Sequence, residues 1–358
     1  MTSVYTIVTR NHLHRARVVM NDVQRQMPEA RRYIFLADEP EGYFAPAGEN
    51  STVILPADYA PPSHRHLAFA LPAYGLCCVL KPFAASHLRR AHPQDIILYL
   101  DSDTRLLAPP DDLLALAGTT GIVLTPHVID AQGTLPSAAP TLPSGVFNAG
   151  VFALGPREET DRFLAWWSEL ISDPRRATRD HLYDQVWLNL VPALFSEVRV
   201  LRHPGYNVAY WNIHERPLTH DDREGGWRVA GLPLVVHHFS GYDPAEPGEL
   251  APRSQRRAFP IGDVRWNRFA QTYATLLAEA GAGTCERWPY QFSRFKDGKP
   301  VTAAHRDYFT GHCWSRLPLA SDPFDPALPA PAAGLRSIYN VDHPLTRMVR
   351  RVKAALRL

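Results

Sequence analysis

The stretch DIILYLDSDTRL (residues 95–106) carries six mostly apolar residues with the pattern of a buried strand straight into Asp101-Ser102-Asp103. Two carboxylates one residue apart repel each other beside apolar surroundings unless a cation or strong hydrogen-bond donors stand between them. In an extended chain, side chains two apart share a side, so Asp101 and Asp103 aim one way and Ser102 the other. Two converging hard oxygen donors suit Mg²⁺ or Mn²⁺, held partly by the protein and partly by a substrate's phosphates. The same tripeptide is also a common polar turn, and the flanking elements decide between the two.

Upstream, VYTIVT (4–9) reads as a strand, LHRARVVMNDVQRQM (13–27) as a helix and RRYIFLAD (31–38) as a second strand. This β-α-β opening predicts an α/β fold, a mostly parallel central sheet flanked by helices, with ligands beyond the carboxyl ends of the strands. Thr9, Asn11 and Asp38 fall at such ends and are candidate ligand-binding residues. A helix over 72–91 leads into the strand at 95–100, and GIVLTPH (121–127) reads as the next strand. Asp101 and Asp103 therefore sit at a carboxyl end, which favours function over a simple turn.

Downstream come a strand in SGVFNAGVFALG and a helix in REETDRFLAWWSELI, whose Phe163, Trp166, Trp167 and Leu170 recur at helical spacing and read as core. YDQVWLNLVPALF (183–195), HPGYNVAYWN (203–212) and LPLVVHHFSGYDP (232–244) each set polar groups beside a buried-looking segment. Asn207 and Trp211 are candidates for the acceptor side, with an aromatic-rich core strand as the plainer reading. From Pro247 the periodicity weakens. The chain divides into a domain over 1–246, an accessory segment over 247–320 and a Pro/Ala-rich linker over 321–340. A basic amphipathic helix over 341–358 follows, where Leu345, Met348, Val349, Val352, Ala355 and Leu356 form an apolar stripe flanked by Arg347, Arg350, Arg351 and Arg357. Such a helix either packs on the domain or lies peripherally on an anionic inner membrane face.

With 358 residues the chain can bury a large core, and 38 Lys+Arg against 36 Asp+Glu give no general case for a nucleic-acid partner. MTSVYTIVTRN lacks the cationic-then-apolar pattern of a leader, and no apolar run reaches about 18 residues, so a cytoplasmic protein is expected. Cys77, Cys78, Cys285 and Cys313 have neither metal-finger spacing nor the density of a disulfide scaffold.

In this order, LYLDSDT, VFNAGVFAL, DQVWLN and VHHFSGYDP resemble the GT-A fold nucleotide-sugar glycosyltransferases, especially glycosyltransferase family 8 and related bacterial polysaccharide enzymes, over about residues 4 to 245. The resemblance implies a GT-A domain with a C-terminal extension. It also implies transfer of a hexose-like sugar from a nucleotide-diphosphate donor, a UDP-sugar favoured, to a glycan or lipid-linked acceptor in surface polysaccharide or glycoconjugate synthesis. Asp101, Asp103 and His238 would hold Mn²⁺ or Mg²⁺, and Ser102 and Asn148 would line the donor site. Asp184 and Gln185 would stand beside the reacting carbon, as a general base for inversion or as stabilisers of an oxocarbenium-like centre for retention, which the family favours. The family carries a Lys-Pro soon after His-x-x-Gly, where this chain has Tyr242-Asp243-Pro244. Neutralisation of the diphosphate is then expected from the metal and from Lys81.

Plainer readings accompany these residues: Asp184 as a helix N-cap and the pair His237-His238 as buried, hydrogen-bonded histidines. Three other classes fit the residues less well. A haloacid-dehalogenase-like phosphatase would use Asp101 as nucleophile, but it expects Thr or Val where Arg105 stands and places its motif after the first strand. A nucleotidyltransferase wants a Gly-rich loop where TRNHLHRAR has no glycine. A non-catalytic sugar-binding protein would have no need of both aspartates, His238 and the Asp-Gln pair.

Overall fold

The computed structural model describes residues 1–130, 141–221 and 226–326. Seven strands, β1 (Thr2–Val8), β2 (Arg31–Leu36), β3 (Thr52–Ile54), β4 (Ile96–Leu100), β6 (Ile122–Pro126), β7 (Phe147–Leu154) and β8 (Val198–Val200), form one sheet in the order β3-β2-β1-β4-β7-β6-β8. All run parallel except β7, which lies antiparallel between β4 and β6. The α/β architecture expected of the GT-A fold, a mostly parallel sheet flanked by helices, is the one observed. β5 (Thr104–Leu106) leaves the sheet to pair with β12 (Val236–His238), and β9 (Leu218–Asp221), β10 (Gly226–Val229) and β11 (Leu232–Pro233) form a small antiparallel ribbon.

Alternation along the strands feeds two cores, because both sheet faces are covered. Tyr5, Phe35, Tyr99 and Phe152 point toward α2 (Ala73–Ala91) and α4 (Glu158–Ile171), which follows α3 (Asp111–Thr119). Val4, Val8, Leu98 and Val151 face α1 (Leu13–Gln26) and α3. The aromatic stripe of α4 is core as its spacing predicts: Trp167 is fully buried and stacks on Phe163 at 5.2 Å between ring centroids, with Trp166 and Leu170 packed at the edge. Burying each such side chain contributes roughly 1.5–3 kcal/mol.

Residues 247–320 share these cores. The buried residues Trp266, Phe269, Ala270, Tyr273 and Leu277 line one face of α5 (Val264–Glu279) and pack on Val18, Phe239 and Tyr242. Farther along, Phe292, Phe295 and Phe309 join the core of α2, where Phe309 meets Phe69 at 4.9 Å. The first residues of the stretch read as linker pack on the domain. Phe324 is buried against Phe69 at 4.9 Å, and Asp322 pairs with Arg65 at 2.6 Å and Lys296 at 3.1 Å. One aromatic anchor overrides the Pro/Ala context. The rest of that linker and the basic helix over 341–358 lie outside the described residues. HPGYNVAYWN is not a strand but a run of turns with a single bridge, Val208 to His237. No helix among the described residues is long and apolar enough to cross a membrane.

Replacing Phe324 with Ala should lower stability by about 3 kcal/mol, the cost of a core cavity of that size. Urea denaturation of the full chain checks it, and a change under about 0.5 kcal/mol, typical of exposed positions, would return this segment to the linker.

Candidate active site

β4 delivers its carboxylates through a tight turn. The Asp101 amide donates to the Gly150 carbonyl at 2.8 Å, while the Asp101 carbonyl accepts from the Thr104 amide at 3.0 Å and the Thr104 hydroxyl at 2.7 Å. The backbone is therefore a turn, and the side chains are free for something else. β5 then runs antiparallel to β12 with Thr104 opposite His238, and the Phe239 amide donates to the Asp103 carbonyl at 2.7 Å. Strand pairing thus brings His238 Nε2 to 3.1 Å from Asp103 Oδ1 and 3.7 Å from Asp101 Oδ2. One donor atom from each of the three lies within 4.8 Å of the others. Burial disfavours charge on His238 and Asp103, yet their mutual attraction wins, raising the imidazole and lowering the carboxyl.

The donor set fits a divalent cation. Two carboxylates and an imidazole suit Mn²⁺ better than Mg²⁺, which prefers oxygen throughout. The cradle also depends on a glycine, since a Cβ at Gly150 would stand 2.5 Å from His238 Cε1 and 2.7 Å from Asp101 Oδ2. Trp211 supports the His238 ring edge-on at 5.6 Å.

Beneath the carboxylates lies a buried ammonium. Lys81, 2% exposed on α2, reaches Asp184 Oδ2 at 2.9 Å, Asp101 Oδ1 at 3.4 Å and the Ala149 carbonyl at 3.1 Å, above the Tyr99 ring at 4.9 Å. Tyr99 Oη donates to Asp101 Oδ1 at 2.5 Å. Burial alone would neutralise Lys81, but Asp101 and Asp184 outweigh it and hold the ammonium charged. Burial likewise pushes Asp184 up while Lys81 opposes that shift. Two carboxylates share one ammonium, while Asp103 is paired with His238 instead.

Asp184 is not a helix cap. Leu182 and Tyr183 adopt left-handed backbone (φ 45° and 60°), which turns the next two side chains inward ahead of a 3-10 turn over Val186–Leu190 that neither caps. Gln185 Oε1 accepts from Asn148 Nδ2 at 3.1 Å and the Ala149 amide at 3.0 Å, and its Nε2 donates to the Ser144 carbonyl at 2.9 Å. Asn148 Oδ1 accepts from the Gly150 amide at 2.9 Å. Because β7 runs antiparallel, its start shares the sheet edge with the end of β4, which places Asn148 beside the carboxylates.

These groups line a cavity of about 520 Å³. Asp101, Asp103, His238, Asp184 and Gln185 face it, as do Thr9, Lys81, Ser102 and Asn148. Asn11 and Asp38 are outside its lining. Asp38 is fully buried, accepts the Arg10 amide at 2.8 Å and is pushed up to about 6 by burial; Asn11 accepts the Thr9 hydroxyl at 2.7 Å. Both brace the turn after β1: a strand's end fixes the edge where a residue sits, not the direction of its side chain. His237 is buried against Phe239, Trp266 and Phe269. Asn207 is buried in left-handed backbone away from the cavity, while Trp211 lines it. The sequence reading passed over His12, Arg15, Tyr210, Phe259 and His127. His127 was findable, since it ends a strand at the same edge as Asp101.

No family model matches the chain. Two curated proteins of Bacillus subtilis (strain 168) are similar to it, both named as uncharacterized. YfnF is 24% identical over 174 residues, 46% of this chain and 56% of its own length; YfnD is 22% identical over 253 residues, 66% and 76%. The chain thus spans little more than half of YfnF. Similar solved structures are glycosyltransferases by name. The galactosyltransferase LgtC, crystallised with donor and acceptor sugar analogs, is 17% identical with a TM-score of 0.47, covering 81% of this chain and 99% of that one. GlyE in Streptococcus pneumoniae TIGR4 is 16% identical with a TM-score of 0.46, covering 83% and 68%.

Gly150→Ala should weaken Mn²⁺ binding by at least about tenfold, the size of effect seen when a ligand's support is disturbed; electron paramagnetic resonance titration measures it, and unchanged affinity would mean the cation sits elsewhere. Burial, with Arg15 added for His12, holds His12 and His127 down to about 4. The unfolded chain therefore takes up protons that these two refuse between about pH 6.5 and 4. Stability should be full above that window and fall on acidification through it, by at most about 1.4 kcal/mol per pH unit per histidine. Denaturation of native protein and His127→Gln at pH 7 and pH 5 checks this, the variant losing less on acidification.

Proposed function

We propose that the chain is a metal-dependent glycosyltransferase that moves a sugar from a nucleotide-diphosphate donor to a hydroxyl acceptor. The carrying observation is the convergence of Asp101, Asp103 and His238 on a polar cavity whose inner wall holds Asp184, Gln185 and Lys81. Asp101, Asp103 and His238 would hold Mn²⁺, or Mg²⁺ less favourably. A bound divalent cation supplies Lewis-acid stabilisation of the charge that develops on a departing nucleoside diphosphate.

The chain's own groups do the rest. Lys81 fixes Asp184 and opposes the burial that raises its carboxyl; Gln185 and Asn148 present amide groups to the sugar; Thr9 and Ser102 contribute hydroxyls at the donor end. Asp184 supports retention over inversion, since an acceptor's general base has to lie within hydrogen-bond reach of the hydroxyl. Here Asp184 is 1% exposed with Oδ2 bound to Lys81, a placement suited to stabilising a positive anomeric centre. A UDP-hexose donor, a glycan or lipid-linked acceptor and a role in bacterial surface polysaccharide synthesis complete the reading on the motif resemblance alone, with a cytoplasmic location and peripheral attachment through the tail added from the sequence pattern.

Incubation with a panel of nucleotide sugars and Mn²⁺ should release free nucleotide from at least one donor. Asp101→Ala and Asp103→Ala should each cut that turnover by about 10³-fold, or about 4 kcal/mol of barrier. Full turnover in either folded variant removes the metal site from the reaction. NMR of the first-formed product should show the donor's anomeric configuration kept; an inverted product would make Asp184 the base.

A further inference from the structure

An anionic diphosphate needs positive charge besides one cation that two carboxylates already offset. Among the described residues lining the cavity, only Lys81 and Arg15 carry a permanent positive charge. Lys81 is committed: its ammonium is shared between Asp184 and Asp101 and is all but sealed from solvent. His12 stays neutral at physiological pH in its buried position, and Asp243, which follows Tyr242 in the loop after His238, is exposed and accepts the Ala245 amide at 3.0 Å.

Arg15 differs. It stands in the first turn of α1 and lines the cavity along with His12, Asp103 and Tyr242. Its Nε is buried with no hydrogen-bond partner, whereas Arg10, Arg17 and Arg105 close by in the fold are each tied to a carboxylate. A buried, unpaired guanidinium donor is costly to keep. It is repaid when an oxyanion completes the pairing, and a guanidinium's fixed fork suits phosphate oxygens.

We propose that Arg15, a side chain of the β1–α1 region, is the protein's own diphosphate-binding cation. The identity of the anion as a donor's diphosphate rests on the transferase reading; the anion site does not.

The test uses the full chain with Mn²⁺ and inorganic pyrophosphate, followed by calorimetry. Arg15→Gln should weaken pyrophosphate about 30-fold, as expected for a lost charge-assisted pair, and leave Mn²⁺ affinity unchanged, which also certifies its fold. Arg15→Lys should fall between, because a point charge replaces the fork; it carries the test if the glutamine variant does not fold. Pyrophosphate binding as tight in the variant as in the native protein, or none in the native protein, overturns the proposal. Nucleotide-sugar turnover, measured in parallel, separates the two readings. Loss of pyrophosphate binding in Arg15→Gln with no donor turned over by the native chain sinks the transferase and keeps the anion site. Turnover by Arg15→Gln at the native KM sinks Arg15 and keeps the transferase.

Discussion

A single ammonium, that of Lys81, makes the interior of this site tenable. Asp101 and Asp184 come from a strand end and from a turn more than eighty residues later, and burial disfavours charge on Asp184. Lys81 bridges them from below at 3.4 and 2.9 Å. The bridge ties β4, α2 and the turn before Val186 into one rigid unit. It lies closer to the inner carboxylate than to Asp101 and does not reach Asp103. Asp103 is left to His238, and that asymmetry marks the side on which a cation would be attracted.

The sheet order turns this local balance into a site. With every strand parallel, the chain entering β7 would lie at the opposite edge, and Asn148 and Gly150 would be far from Asp101. Inserted antiparallel between β4 and β6, β7 begins where β4 ends. Its first residues supply a backbone acceptor for the Asp101 amide, an amide group for the cavity and the gap into which His238 fits. The small residues of FNAG answer to close packing from two sides.

Much of this was legible in the sequence. The apolar runs of β1, β2 and β4 and the helical stretches of α1, α2 and α4 place those elements within about two residues, because the strands are buried on both faces and the helices cover them. Asp101 and Asp103 were legible as paired carboxylates at a strand's carboxyl end, whereas His238 was legible only through the resemblance of VHHFSGYDP to the glycosyltransferase motif. Direction was not legible. Asn11 and Asp38 stand at the right edge but brace a turn, and Arg15 carries no mark separating it from Arg17, which pairs with Glu49 on the same helix. The left-handed residues before Asp184 were equally hidden: neither Leu182 nor Tyr183 is a residue type that favours that conformation. Nor does composition reveal that Phe324 anchors a Pro/Ala stretch.

The seating of β12 has a bearing on how the protein is made. His237, beside the third metal-facing residue, packs on Trp266 at 5.6 Å and Phe269 at 4.9 Å, and Phe239 stacks on Tyr273 at 3.9 Å. The strand that offers His238 is therefore held in place by a helix translated after it. A nascent chain exposes the acidic loop long before its histidine, and exposes the histidine before the helix that fixes it. On the proposed reading the centre closes late in synthesis, and an ion met early by the two aspartates alone would be held loosely until α5 has folded down.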